Sequence, residues 1–215
     1  MIRGSCGSAE RNAKPTVRAL RSRTGGTQRG LVPSKFLIDP VASRFTVQAF
    51  ATGIFSSFGH NPTIGMRDYD GEIQFVPETY ENALVRLTVR TSAMEVLDEM
   101  KNDDRKKLEK EMYENVLDIQ HFPLAVYESK EITVNKLSND LFQARVSGDL
   151  SFHGVTRGQP VEARVTSIGS ILRISGEFPL RQSDYDIKAF SFAGGALRLK
   201  DEIKFKFELV ARQQE

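Results

Sequence analysis

FQARVSGDLSFHGVTRGQPVEARV, residues Phe142 to Val165, holds two alternating runs joined by polar punctuation. Phe142, Ala144, Val146, Gly148, Leu150 and Phe152 share one parity, while Gln143, Arg145, Ser147, Asp149 and Ser151 share the other. Successive strand side chains point to opposite faces, so this is a wall with one apolar and one wet side. His153-Gly154 and Arg157-Gly158-Gln159-Pro160 are loop chemistry. Val161, Ala163 and Val165 then resume the alternation against Glu162, Arg164 and Thr166, which predicts one antiparallel hairpin. Its apolar face must be covered, either by a side-chain core or by a ligand.

The flanking segments extend the wall. Leu124 to Val134 is expected to pair with Leu141 to Phe152 across residues 135–140, and Val161 to Ile168 with Ile171 to Leu180 across Gly169-Ser170. Ile203, Phe205, Phe207 and Leu209 alternate with Lys204, Lys206 and Glu208 in the cleanest strand of the chain. Val85, Leu87 and Val89 alternate with Arg86, Thr88 and Arg90, and a one-residue slip there would bury both arginines. Phe45, Val47 and Ala49 mark an earlier strand, and Ile64 to Val76 is extended. Within it Asp70-Gly71 reads either as a hairpin turn or as a glycine kink in one bent strand.

One helix interrupts the strands. Leu97, Met100, Leu108, Met112 and Val116 recur at helical spacing over Asp98 to Leu117, and Gln120-His121-Phe122-Pro123 ends the run. Its charged remainder predicts a solvated helix across a sheet, with a partner-binding helix as the alternative. The total is about eight sequentially antiparallel strands with one helix after the third. That predicts an all-β chain closed into an antiparallel barrel, since closure removes exposed edges; a two-sheet sandwich is the other arrangement compatible with the pattern.

Fourteen Phe and no Trp among 215 residues favour a greasy interior, and no apolar run reaches membrane-spanning length. The net charge of +2 is unevenly distributed: up to Lys35, eight basic residues face Glu10 alone, giving +7, and the remainder is therefore −5. Residues 1–34 are expected to form a disordered basic leader, and 35–215 the folded domain. An acidic domain argues against nucleic acid as the barrel's partner. The leader scatters Ile2, Val17, Leu20 and Leu31 among Arg, Ser and Gly, so no export signal is legible and the expected location is the cytoplasm, or the periplasm if the start lies elsewhere. Cys6 is the sole cysteine and can form no internal disulfide.

Motifs for chemistry are sparse. His60, His121 and His153 each sit in loop sequence at no metal-ligand spacing. No nucleophile elbow, phosphate-binding loop or dinucleotide fingerprint occurs, so no cofactor is expected. His60 is the best candidate for a functional histidine, beside Ile54, Phe55 and Phe58 in a loop able to cover a barrel mouth. His121 and His153 read as ordinary polar loop residues.

SGDLSFHGVTRGQPVEARV at Ser147 to Val165, FPLAVYES at Phe122 to Ser129 and RDYDGEIQF at Arg67 to Phe75 together resemble the YceI-like family from about Ile38 to Ala211. The resemblance implies an extended eight-stranded, lipocalin-like barrel that binds a polyisoprenoid, isoprenoid quinone or fatty-acyl chain in its lumen. It also implies that Asp70-Gly71 lies within one long bent strand, and that the chain forms a homodimer. The lumen candidates are then Phe45, Val47, Leu87, Val89, Val146, Leu150, Phe205 and Phe207, with Phe55, Phe58 and His60 at the mouth. A non-enzymatic lipid carrier is the leading expectation. The alternatives are an enzyme using His60 as acid or base and a protein-interaction scaffold.

Overall fold

A strand with one apolar face is stable only when that face is enclosed, and this chain encloses it by curling a sheet onto itself. The computed structural model describes residues 32–52, 61–77, 79–80, 82–192 and 197–214. The leader expected over 1–34 thus lies mostly outside the described residues, as do Phe55, Phe58 and His60. In chain order the first strands are β1 (Ser34–Ile38), β2 (Arg44–Gln48), β3 (Ala51–Thr52), β4 (Thr63–Met66), β5 (Tyr69–Phe75), β6 (Leu84–Arg90) and β7 (Met94–Val96). Helix α1 (Asn102–Glu111), prolonged by a π turn at Met112–Val116, separates these from β8 (Leu124–Lys136), β9 (Leu141–Phe152), β10 (Val155–Gly158), β11 (Val161–Ile168) and β12 (Ile171–Arg181). The last strands are β13 (Ser191–Phe192), β14 (Leu197–Leu199) and β15 (Glu202–Gln213).

Eight strands close the ring in the order β1-β5-β6-β8-β9-β11-β12-β15, each pair antiparallel. Closure comes from β15 against β1, in the register Phe36↔Gln213 and Ile38↔Ala211. The barrel is extended at one end because three of its strands are broken and continue as β2, β4 and β7. Strand β2 lies along the first half of β15 (Phe205↔Val47, Phe207↔Phe45), β4 along β2, and β7 along β4. The small sheet β13-β14-β3 lies off this ring.

The breaks are held by specific bonds. At residues 39–43 the Ser43 hydroxyl donates to the Asp39 carbonyl at 2.6 Å and accepts from the Val210 amide at 2.8 Å, so a side chain replaces a ladder partner. The Asp39 carboxylate accepts from Arg212 Nε at 2.9 Å and from the amides of Val41 and Ala42, which hold it below the usual carboxylate range. The breaks at 67–68 and 91–93 face each other. The Arg67 amide donates to Ala93 O at 2.9 Å and the Arg90 amide to Asp68 O at 3.0 Å.

Asp70-Gly71 is therefore no hairpin. Both residues lie inside β5, paired with Thr88 and Leu87 of β6, as the family resemblance implies. Glycine is favoured there because a Cβ would stand 2.9 Å from the Arg86 carbonyl oxygen, which cannot yield, as well as 2.7 Å from Ile38 Cδ1. The hairpin at Phe142–Val165 also differs in detail. Its turn is His153-Gly154 alone, with φ of 49° and 78°, the two positive values that a tight antiparallel turn needs. Val155–Gly158 is strand, bonded back to β9, and Gln159-Pro160 is a break before β11.

The helix starts later than the sequence suggests, at Asn102, and its charges serve the sheet. Strand β7 is an edge, and α1 occupies it: Val96 N donates to Glu109 Oε1 at 3.0 Å while Arg105 donates to Val96 O and, at 2.9 Å, to Asp98 O. The Tyr113 hydroxyl donates to Met94 O. Edge groups that would otherwise face water or another chain are thereby satisfied. On the outer wall, cross-strand pairs such as Lys35–Glu72 (2.6 Å) and Arg145–Glu162 (3.1 Å) are exposed, so they secure register more than stability.

Candidate ligand-binding site

The apolar parity of the wall turns inward but does not fill the barrel. Among the described residues two apolar cavities stand out. The first, about 330 Å³, occupies the end where β1 begins and β15 ends. Its walls include Phe36, Ile73, Phe75, Leu87, Tyr127, Val134, Phe142, Ala144, Val146, Ala163, Val165, Phe178 and Phe207, and its outer end is bounded by Ser34, Tyr80, Ser167, Gly169 and Gln213. The second, about 300 Å³, lies under α1 in the extension. It is bounded by Val47, Ile64, Met66, Met94, Val96, Leu108, Met112, Leu117, Phe152, Phe190 and Phe205, with Pro62, Asp98, Glu99 and Gln182 as its polar or rim positions.

Phe45 and Phe205 divide the two. Phe45 borders the first cavity and Phe205 the second, with ring centroids 6.0 Å apart. Around them Tyr69 meets Phe45 edge-on at 5.9 Å, and Phe178 stacks on Phe205 at 4.9 Å with the planes 2° apart. Val89 and Leu150 are buried in the same core and line neither cavity. Of the lumen candidates, Phe45, Leu87, Val146 and Phe207 thus border one compartment and Val47 and Phe205 the other. Val89 and Leu150 are packing residues of the partition. The mouth candidates Phe55, Phe58 and His60 lie outside the described residues, although Pro62, two positions after His60, borders the second cavity.

Inward glycines make this interior possible. A Cβ on Gly176 would stand 2.5 Å from Phe207 Cζ, and one on Gly148 would stand 2.7 Å from the Tyr127 hydroxyl. Each aromatic ring therefore lies over a glycine on a nearby strand, which makes room for large side chains in a barrel wall. The alternation at Phe142–Phe152 and Leu172–Leu180 carries these glycines on the apolar parity, which is the signal that they face inward. Phe36, Phe75, Tyr80, Tyr127, Phe142 and Phe178 were not singled out as lumen residues. Phe142 shares the parity of Val146, so that one at least was legible. Tyr80 is placed by backbone, with φ of 57° and its ring 5.4 Å from Phe142.

Polar groups in the interior are few and mostly committed. The Tyr127 hydroxyl donates to Gln159 O at 3.0 Å. Burial, reinforced by the Asp149 carboxylate, pushes its pKa up to about 12, so it is neutral at any physiological pH. The Gln182 amide donates to Lys200 O at 3.0 Å, and Asp98 Oδ2 accepts from Thr63 N at 2.7 Å. His121 is exposed, with Nδ1 2.8 Å from Asp118 Oδ1. His153 Nδ1 is 3.1 Å from Tyr185 O, and its ring is 4.3 Å from Phe122. Neither borders a cavity. Among the described residues no cluster of three or more His, Cys, Asp or Glu is arranged to hold a metal, and no helix is long and apolar enough to cross a membrane.

A closed eight-stranded antiparallel barrel with an apolar interior and a helix inserted after its third long strand defines a lipocalin-like barrel fold. The YceI-like domain model matches residues 36–211, and the chain belongs to that family. Its fold is shared by Burkholderia cenocepacia BcnA (16% identity, TM-score 0.64, covering 80% of this chain and 98% of that one). It is also shared by a polyisoprenoid binding domain from Saccharophagus degradans implicated in plant cell wall breakdown (13%, TM-score 0.61, 86% and 99%). A third such structure is the Campylobacter jejuni YCEI protein (17%, TM-score 0.57, 73% and 88%). No curated protein matches the chain significantly in sequence.

Proposed function

We propose that this chain binds one long apolar lipid, a polyisoprenoid, isoprenoid quinone or fatty-acyl chain, in its lumen and carries or sequesters it without chemical change. The observation that carries the reading is the pair of apolar compartments inside one closed barrel, divided by a partition of apolar side chains centred on Phe45 and Phe205. Each buried methylene contributes about 0.8 kcal/mol, so affinity rises with tail length until the compartments are full. A shorter tail occupies the first cavity, and a longer one displaces the two rings and enters the second.

The non-enzymatic reading is supported by the commitments of the interior polar groups, since the described histidines lie away from both cavities and the Tyr127 hydroxyl is held neutral. The binding domain is taken as 35–215, acting in the cytoplasm as a homodimer; sedimentation equilibrium and cell fractionation test those two points. The central test is organic extraction of the purified protein followed by mass spectrometry, with titration of a fluorescent acyl chain into the extracted protein. Recovery of a stoichiometric lipid, displaced by the probe, is expected. Failure of extracted protein to bind any prenyl or acyl probe would overturn the reading.

A further inference from the structure

Among the described residues, no Lys, Arg, His, Asp or Glu borders the first cavity, and the second is bordered by two carboxylates, Asp98 and Glu99, and by no basic side chain. The internal stretches outside the described residues, 53–60, 78, 81 and 193–196, contain no Lys or Arg and a single histidine, His60. Basic residues next in the chain to the outer end of the first cavity do not border it. Lys35, between Ser34 and Phe36, pairs with Glu72 at 2.6 Å on the outer wall, and Arg212, before Gln213, pairs with Asp39 at 2.9 Å. Lys136 ends β8 beyond Val134 and is exposed. The polar side chains that do border this end are neutral: Ser34, Tyr80, Ser167 and Gln213, whose amide donates to Ser34 Oγ at 3.3 Å. Hydroxyls and amides solvate a carbonyl or an alcohol by hydrogen bonding, but they carry no charge to offset an anion taken out of water.

We propose that the lipid carries an uncharged oxygen head group, as a prenyl alcohol, an isoprenoid quinone or an acyl ester does, seated at the outer end of the first cavity among Ser34, Tyr80, Ser167 and Gln213, and that free fatty acids and prenyl phosphates are rejected. The inference rests on the lipid-carrier reading and narrows its ligand. The head lies at this end because the other is acidic: the Asp98 and Glu99 carboxylates repel a carbonyl oxygen, and the Gln182 amide is already bonded to Lys200 O at 3.0 Å. An acid and its ester bury the same tail, so the difference between them isolates the head. At this rim a carboxylate or phosphate loses hydration and meets no countercharge, and the balance of −5 over residues 36–215 adds repulsion at longer range.

The test uses the full chain after lipid extraction and measures displacement of an uncharged fluorescent acyl probe at about pH 8, with ligands below their micelle concentrations. Two matched pairs compete: methyl dodecanoate against dodecanoate, and geranylgeraniol against geranylgeranyl diphosphate. Each neutral ligand is expected to bind about ten-fold or more tighter than its anionic partner. Ser167→Arg and Gln213→Arg each place a guanidinium at the rim, and each is expected to raise the affinity for dodecanoate while leaving that for methyl dodecanoate within about two-fold of wild type. The ester arm reports that the lumen of each variant is intact. An anion that binds as tightly as its neutral partner overturns the proposal. A gap of the expected size that neither arginine variant narrows overturns the assignment of the head group to this rim. If neither the probe nor any of the four ligands binds, the carrier reading fails and the head-group inference with it.

Discussion

The Tyr127 ring lies over the backbone of Gly148, so close that a Cβ on Gly148 would be 2.7 Å from its hydroxyl and 2.5 Å from the Glu128 carbonyl. That hydroxyl goes on to bond Gln159 O, and the Gln159 amide donates to Gly148 O at 2.8 Å. One glycine thereby ties β8 and β9 to the break between β10 and β11. Replacing it is predicted to be among the costliest single-methyl additions in the chain. Gly148→Ala is expected to destabilise by about 1–3 kcal/mol, because the nearest atom is backbone and cannot yield. Urea denaturation of both proteins measures it, and a change below about 0.5 kcal/mol would contradict the geometry.

The same tyrosine sets an alkaline limit. Its folded-state pKa is raised from 10.0 to about 12, so the fold favours the neutral phenol. The stability is fully present below pH 10 and is lost as pH rises towards 12, the loss reaching about 2 kcal/mol at the top of the window. Stability of the wild type should fall across this window, and Tyr127→Phe should fall less steeply while starting lower for want of the Gln159 bond. Thermal melts from pH 8 to 12, with tyrosinate absorbance recorded alongside, would separate the two curves.

Alternation made the wall readable, and it did so for a physical reason: each long strand has one buried and one wet face, so the period of two survives in Phe142–Phe152 and Ile203–Leu209. The breaks were not readable, because they are made by partners distant in sequence. Ser43 substitutes for a ladder bond to Val210, and Arg67 bonds to Ala93; neither contact leaves a local mark. Asp70-Gly71 misleads locally, since the glycine makes room for the Arg86 carbonyl and the Ile38 side chain across the sheet rather than for a turn. The division of the lumen was invisible for a similar reason. Phe45 and Phe205 belong to neighbouring strands on the inward parity, and nothing local to either marks their meeting at 6.0 Å between the two compartments.

Cavity filling offers a direct check on binding. Ala144 and Ala163 face each other across β9 and β11 and both border the first cavity. Ala163→Phe places a ring in that space, and it is predicted to weaken acyl-probe binding about ten-fold or more while changing stability by less than about 1.5 kcal/mol. A variant that folds and binds the probe as wild type would show that the cavity is not the site.

The turn histidine makes the opposite prediction. His153 is held at φ 49°, a conformation that asparagine also adopts readily. His153→Asn should leave probe binding unchanged and alter stability by less than about 1 kcal/mol, through loss of the Tyr185 and Phe122 contacts. Fluorescence titration and a melt of the same sample would suffice, and a large loss of binding would contradict its reading as a turn residue.

The three strand breaks fall at 39–43, 67–68 and 91–93, all before the helix. Five of the eight ring strands, β8, β9, β11, β12 and β15, lie beyond the helix and carry no such break. The depth of the barrel is thus encoded in its first three ring strands. Insertions near the breaks can lengthen or shorten the reach of the pocket while the circumference stays fixed, so homologues with different tail-length preferences are expected to diverge most between residues 39 and 117.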